Sequence, residues 1–148
     1  MAIFVGADHR GFELKNKLIE YLQEKNIRVI DMGNFEYDPV DDYPDYARKV
    51  ADAVKKNPGD SVGILICGSG VGVTIAANRY SGVRCCLGFD VGQIKHAREN
   101  DHVNILSIAS DYFDFEQAKS FTDIFLNSEP KIEEKYIRRL KKLDEAQV

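Results

Sequence analysis

The run Cys67-Gly68-Ser69-Gly70-Val71-Gly72 concentrates more potential chemistry than any other stretch of this sequence. Its glycines let the backbone turn tightly and bring N–H groups close to a ligand. A helix beginning just beyond them adds unpaired donors and a partial positive charge, a cradle for an oxyanion or a phosphate. Cys67, at the end of an apolar run, would point into that cradle and serve as a nucleophile or a proton-abstracting base. Its structural alternative is a small buried hydrophobe at a strand end. The same glycines approximate the dinucleotide fingerprint G-x-G-x-x-G, with Asp90 about 20 residues further on. Position 73 holds Val where that fingerprint needs its third glycine, and the motif follows the third strand-like run instead of the first. Nucleotide binding is therefore disfavoured.

Three other segments carry polar groups that could join this loop. Asp8-His9 ends the first apolar run; the Asp serves there as a helix N-cap or as a ligand-orienting carboxylate, and His9 as a local hydrogen-bonding group, an anion ligand or a proton relay. Asp41-Asp42-Tyr43-Pro44 begins a helix, and offers Asp42 and Tyr43 to a polyhydroxy substrate. Near the C-terminus, Lys135, Arg139 and Lys142 fall on one helical face with Arg138 beside them, a solvated basic stripe or a phosphate clamp. Its other face holds Ile132, Tyr136, Leu140 and Leu143, so it is expected to pack. The three cysteines, Cys67, Cys85 and Cys86, match no zinc spacing. Free thiols in a reducing cytoplasm are the simplest reading, with Cys85 and Cys86 in the core. Among His9, His96 and His102 there is no H-x-x-x-H or H-E-x-x-H pattern, so no metal site is expected; His96, between charged neighbours, reads as a surface residue.

These loops are positioned by a regular alternation of short apolar runs and amphipathic stretches. Strand-like runs fall at 2–7, 27–31, 62–66, 84–89 and 103–109. Helical periodicity covers 11–25, 44–56, 73–79, 91–99, 113–126 and 132–143. Repeated β-then-α order implies parallel strands joined by right-handed crossovers, hence a three-layer α/β/α sandwich with five parallel strands and an extra C-terminal helix. Ligands of such folds sit outside the carboxyl ends of the strands, where all the loops above fall. At 148 residues and 16.7 kDa, with 44% hydrophobic and 30% charged residues, the chain suits a single domain over 1–148. With 24 acidic against 20 basic residues, net −4, it is not built to coat nucleic acid or an anionic membrane. No apolar run is long enough to span a bilayer, and the N-terminus does not read as a signal peptide.

Taken in order, GADHRGFELK, DDYPDYA, GILICGSGVGVTIAANR, GVRCCL and HARE…NIL resemble the type B ribose-5-phosphate isomerases and the related two-subunit galactose-6-phosphate isomerases. The resemblance covers essentially the whole chain. It implies a Rossmann-like sandwich that binds no nucleotide, and a homodimer or homotetramer with active sites shared between subunits. It also implies aldose–ketose isomerisation of a phosphorylated sugar, as in the pentose phosphate pathway, without metal or redox cofactor. Cys67 would be the base working through a cis-enediolate, with Ser69 and the N–H groups of Gly68, Gly70, Val71 and Gly72 holding its oxygens. Asp8, Asp42 and Tyr43 would contact sugar hydroxyls and His9 the phosphate, with Lys135 and Arg139 arriving from the partner subunit.

The sequence departs from this family at specific positions. Where members carry the ring-opening His followed by a sugar-contacting Asn, this chain has Asn100 and Asp101, and His102 follows. An arginine near the start of the next helix is replaced by Asp111, and another of the phosphate clamp by Lys135. Either His102 from its shifted position, or Asp101 together with Asp42, would then open the sugar ring. The alternative reading is a sugar-phosphate-binding or heteromeric isomerase subunit with a changed substrate, such as a hexose 6-phosphate, or little activity alone.

Overall fold

The computed structural model describes residues 1–146. Strands and helices alternate as β1 (Ala2–Ala7), α1 (Phe12–Glu24), β2 (Val29–Asp31), α2 (Tyr43–Lys56), β3 (Ser61–Cys67), α3 (Val71–Ala77), β4 (Cys85–Leu87), α4 (Val91–Asn100), β5 (Ile105–Ala109), α5 (Phe115–Asn127) and α6 (Glu134–Glu145). All strand pairs are parallel, in the order β2-β1-β3-β5-β4. β3 is central, and each of its residues is buried because helices cover both of its faces. The edge strands β2 and β4 are each three residues long, shorter than the runs 27–31 and 84–89 suggest. Each pairs on one side only, so the ladder ends sooner.

Strand alternation divides the core in two. Ile3, Val5, Ile64, Ile66 and Leu106 face α1, α4 and α5; Phe4, Leu65, Cys67 and Ile105 face α2 and α3. Right-handed crossovers dictate this division. The chain moves one way along the sheet from β1 to β2 and the opposite way from β2 to β3, which places α1 and α2 on opposite faces. α6 departs from expectation. Tyr136 is its one buried residue and Leu143 is 54% exposed, while Ile132, expected within this helix, precedes it and is 87% exposed. The layers are already complete without α6, so its apolar stripe finds no sheet face to cover. No helix among the described residues is long and apolar enough to cross a membrane.

Candidate active site

β1 and β3 are neighbours, with Ala7 opposite Ile66, yet the chain leaves β1 toward one sheet edge and enters β3 on its other side. That reversal opens a crevice at their carboxyl ends. Asp8 and His9 stand on one wall and Cys67 with its glycine loop on the other. Asp8 is 5% exposed, and its Oδ1 accepts the backbone N–H groups of Arg10 (3.0 Å) and Gly11 (3.2 Å). The N-cap of α1 is Gly11, so the Asp8 carboxylate braces the turn before the helix instead of capping it. Burial raises the Asp8 carboxyl above its ordinary range, partly opposed by those two amides and His9 and reinforced by Asp41.

His9 is held by a residue that its spacing in the chain does not reveal. Asp41 Oδ1 accepts the backbone N–H of His9 at 2.9 Å and lies 2.7 Å from its Nδ1, while Oδ2 accepts Asn34 Nδ2 at 2.8 Å. Nε2 is the ring nitrogen left for a ligand. Burial, with Asp41 beside it, pushes the Tyr46 hydroxyl up to about 12, so it stays protonated at neutral pH. Asp8, His9 and Asp41 bring potential metal ligands within 4.8 Å of one another, and the His9–Asp41 bond couples two of these side chains. Asp42 occupies the N-cap position of α2 without a side-chain capping bond, and its carboxylate is exposed. Tyr43, the first residue of α2, lays its ring on Gly72, where a Cβ would meet ring carbons at 2.8–3.0 Å.

The loop between β3 and α3 is open toward a ligand. Among the described residues, the backbone N–H groups of Gly68, Ser69 and Gly70 make no protein hydrogen bond, while Val71 N donates to Ser69 Oγ at 3.3 Å. Gly70 adopts φ +71°, a left-handed conformation costly to other residues, and starts α3 at Val71 instead of Val73. Ser110 N donates to the Cys67 carbonyl and Asp111 N to that of Gly68, both at 3.0 Å, which pins the loop to the end of β5. The Cys67 thiol is less open than the sequence suggests. At 4% exposure it faces the α2–α3 side, in a cluster with Ala47, Leu65 and Val73.

The family model described as Ribose/Galactose Isomerase matches residues 3–143. The chain belongs to the ribose/galactose isomerase family. A "Probable ribose-5-phosphate isomerase B" of Mycoplasma pneumoniae is 42% identical over 127 residues, 86% of this chain and 83% of that protein. A ribose 5-phosphate isomerase from Thermotoga maritima superposes with a TM-score of 0.92 at 39% identity, covering 98% of each chain. Ribose-5-phosphate isomerase B from Mycoplasma genitalium, solved with bound ribulose-5-phosphate, gives 0.93 at 38% identity over 97% of this chain and 94% of that one.

In this member of the ribose/galactose isomerase family, the remaining candidates lie away from Cys67. Asn100, Asp101 and His102 precede β5, whereas Cys67 ends β3, which pairs with β5 from Gly63–Ile105 to Cys67–Ala109. Four residue rises of roughly 3.3 Å place them at least about 13 Å away, at the opposite end of the sheet. The ring nitrogens of His96 lie 3.0 Å from Asn100 Nδ2, and Asn100 Oδ1 is buried without a partner. His102 sits at φ +49°, with Nε2 2.7 Å from the Lys131 carbonyl, so its ring is tied to the backbone. Asp101 is exposed. The last turn of α6 flanks the same end, where Leu143 and Asp144 share a cleft with Asp101 and Cys85. Lys135 pairs with Glu133 at 3.2 Å, and Arg139 is exposed. Burial pushes the Cys85 thiol up to about 12 and Cys86 to about 11, which suits core residues and not bases.

Proposed function

We propose that this protein interconverts ribose 5-phosphate and ribulose 5-phosphate, with Cys67 as the base. The observation that carries this reading is the row of unpartnered N–H groups at Gly68, Ser69 and Gly70, next in the chain to the Cys67 thiol and across the crevice from Asp8 and His9. The deprotonated sulfur takes the hydrogen from C2 of the open-chain aldose. The electron pair of the C–H bond becomes the C1–C2 double bond of a cis-enediolate, and negative charge moves onto O1. The loop N–H groups and Ser69 stabilise that charge, as amides do in an oxyanion hole. A proton passes from O2 to O1, the thiol returns its hydrogen to C1, and the ketose forms. The hydrogen stays within the substrate, so the route needs no external oxidant. A thiol screened from water retains the proton it has abstracted, which suits its low exposure.

Asp8, Asp42 and Tyr43 bind sugar hydroxyls, and His9, with Asp41 on its Nδ1, turns Nε2 toward the phosphate. A second copy of the chain supplies the remaining groups: Lys135 and Arg139 to the phosphate, and Asp101 to open the ring. His102, whose Nε2 is taken by the Lys131 carbonyl, keeps Nδ1 and is the alternative ring-opening group. The working protein is therefore a homodimer or homotetramer, and three free thiols suit a cytoplasmic enzyme. The test is a proton-exchange and isomerisation assay with ribose 5-phosphate and allose 6-phosphate, comparing the unaltered protein with Cys67→Ala. Ribose 5-phosphate should turn over, and the variant should lose activity by about 10²–10⁴-fold while keeping its fold. Full activity without the thiol removes Cys67 as the base, and turnover of allose 6-phosphate alone reassigns the substrate.

A further inference from the structure

An ion pair stands directly over the glycine loop. Arg10 follows β1 and Asp111 follows β5, 101 residues apart, and Arg10 Nη2 donates to Asp111 Oδ2 across Gly68 between them. The pair rests on the loop backbone: a Cβ at Gly68 would lie 2.6 Å from Arg10 Nε and 2.8 Å from Asp111 Oδ2. Its backbone is fastened on all sides. Arg10 N donates to Asp8 Oδ1, Ser110 Oγ lies within bonding distance of the Arg10 and Cys67 carbonyls, and Asp111 N donates to the Gly68 carbonyl.

Such an arrangement adds little to stability, because the side chains are 56% and 38% exposed and solvent screens the attraction. It does determine where a guanidinium points. Asp111 takes one N–H of Nη2, while Nε and Nη1 make no hydrogen bond among the described residues. Arg10 and His9 also line one cleft of about 500 Å³, bounded further by Phe12, Glu13, Asn16, Lys17, Glu20 and Tyr37, with Lys17 paired to Glu13. Lys135 and Arg139, by contrast, are on α6, whose last turn lies at the opposite end of the sheet. Arg10 is thus a planar, permanently charged donor of this chain seated on the loop itself, with an edge open to an anion.

We propose that Arg10 contacts the phosphate of the substrate, and that Asp111 is the positioning residue that holds its guanidinium over the glycine loop. This rests on the isomerase reading only in naming the substrate; the anion contact itself stands or falls separately. The experiment measures steady-state kinetics with ribose 5-phosphate, and inorganic phosphate as competitor and as calorimetric titrant, for the unaltered protein, Arg10→Gln, Arg10→Lys, Asp111→Asn and the Arg10→Gln/Asp111→Asn double variant. Arg10→Gln should raise KM about 10- to 100-fold with kcat changed less than about threefold, and should weaken inorganic phosphate by a similar factor. Arg10→Lys should recover part of the loss, since it restores charge without the fork. Asp111→Asn should raise KM by a smaller factor, and in the double variant it should add nothing to the loss of Arg10. Unchanged KM and phosphate affinity in Arg10→Gln overturn the proposal. Tighter binding in Asp111→Asn overturns the positioning role, because the carboxylate would then be competing with phosphate. If the unaltered protein fails to isomerise ribose 5-phosphate, the isomerase reading fails, and calorimetry with inorganic phosphate still decides the role of Arg10.

Discussion

With Nδ1 2.7 Å from Asp41 Oδ1, His9 has a fixed ring orientation and offers a ligand only Nε2. Asp41→Asn keeps a side chain able to bond Nδ1 but removes the carboxylate whose Oδ1 holds both the His9 ring and its backbone N–H, so Nε2 is aimed less firmly at the phosphate. It should raise KM for ribose 5-phosphate about tenfold and leave kcat nearly unchanged, as steady-state kinetics would show. Asp8 tests a different property. Its carboxyl is raised chiefly by burial, so the folded state favours the neutral form more than the unfolded state does. The resulting penalty is full above the raised folded pKa and vanishes below the unfolded value. Asp8→Asn, which retains an acceptor for the Arg10 and Gly11 amides, should therefore melt at a higher temperature than the unaltered protein at pH 8. That advantage should shrink as pH falls through the carboxyl range, and calorimetric scans at pH 8 and pH 4 would measure it. Activity should fall in the same variant, because a site that buries a charge for function gains stability when the charge is removed. Cys67, Ser69 and the glycines were legible in the sequence because their chemistry is local to one loop. Asp41 was not, since its bond to His9 spans 32 residues and depends on how β1 and α2 meet.

At the scale of elements, the site depends on how α1 is fastened to the end of β2. Lys15 is fully buried, and its Nζ donates to both oxygens of Asp31, at 2.9 and 2.7 Å. Asp31 Oδ1 also accepts Gly33 N at 2.9 Å, which starts the loop that carries Asn34 toward Asp41. Losing the Asp31 carboxylate leaves a buried ammonium without a counter-charge, so Asp31→Ala should cost about 3–5 kcal/mol of unfolding free energy in urea denaturation. Lys15→Met should cost less, because Asp31 is 31% exposed and can take water in place of the ammonium. A lysine on the inner face of an amphipathic helix gives no sign in the sequence of where its charge ends. The order of strands and helices was legible because β3 is uniformly apolar and the helices keep their period. Two details depend on tertiary context instead: α3 starts early because Gly70 adopts a left-handed conformation, and β2 and β4 are cut short because edge strands lack a second partner.

The whole molecule separates groups that the proposed reaction needs together. Parallel β3 and β5 carry Cys67 at one end of the sheet and leave Asp101 at the other, and no rotation of side chains closes that gap within one chain. A second copy related by a two-fold axis can close it, because an isologous interface that sets the carboxyl end of one sheet against the amino end of the other does so twice over. Each site would then take its thiol and glycine loop from one subunit and its α4 and α6 groups from the other. In such a dimer Cys67→Ala would disable a site through the first subunit and Arg139→Glu through the second, so each homodimeric variant would have two impaired sites. When the two are mixed and allowed to exchange, a mixed dimer contains one site with both defects and one with neither. If subunits exchange at random, half the dimers are mixed, and activity should recover to about a quarter of the unaltered protein's from two nearly inactive preparations. The measurement is the isomerisation rate before and after denaturation and joint refolding, with each variant refolded alone as the control. If every site were built within one chain, joint refolding would return only the mean of the two variants. Recovery therefore reads out the shared site directly, whichever of Asp101 and His102 opens the ring.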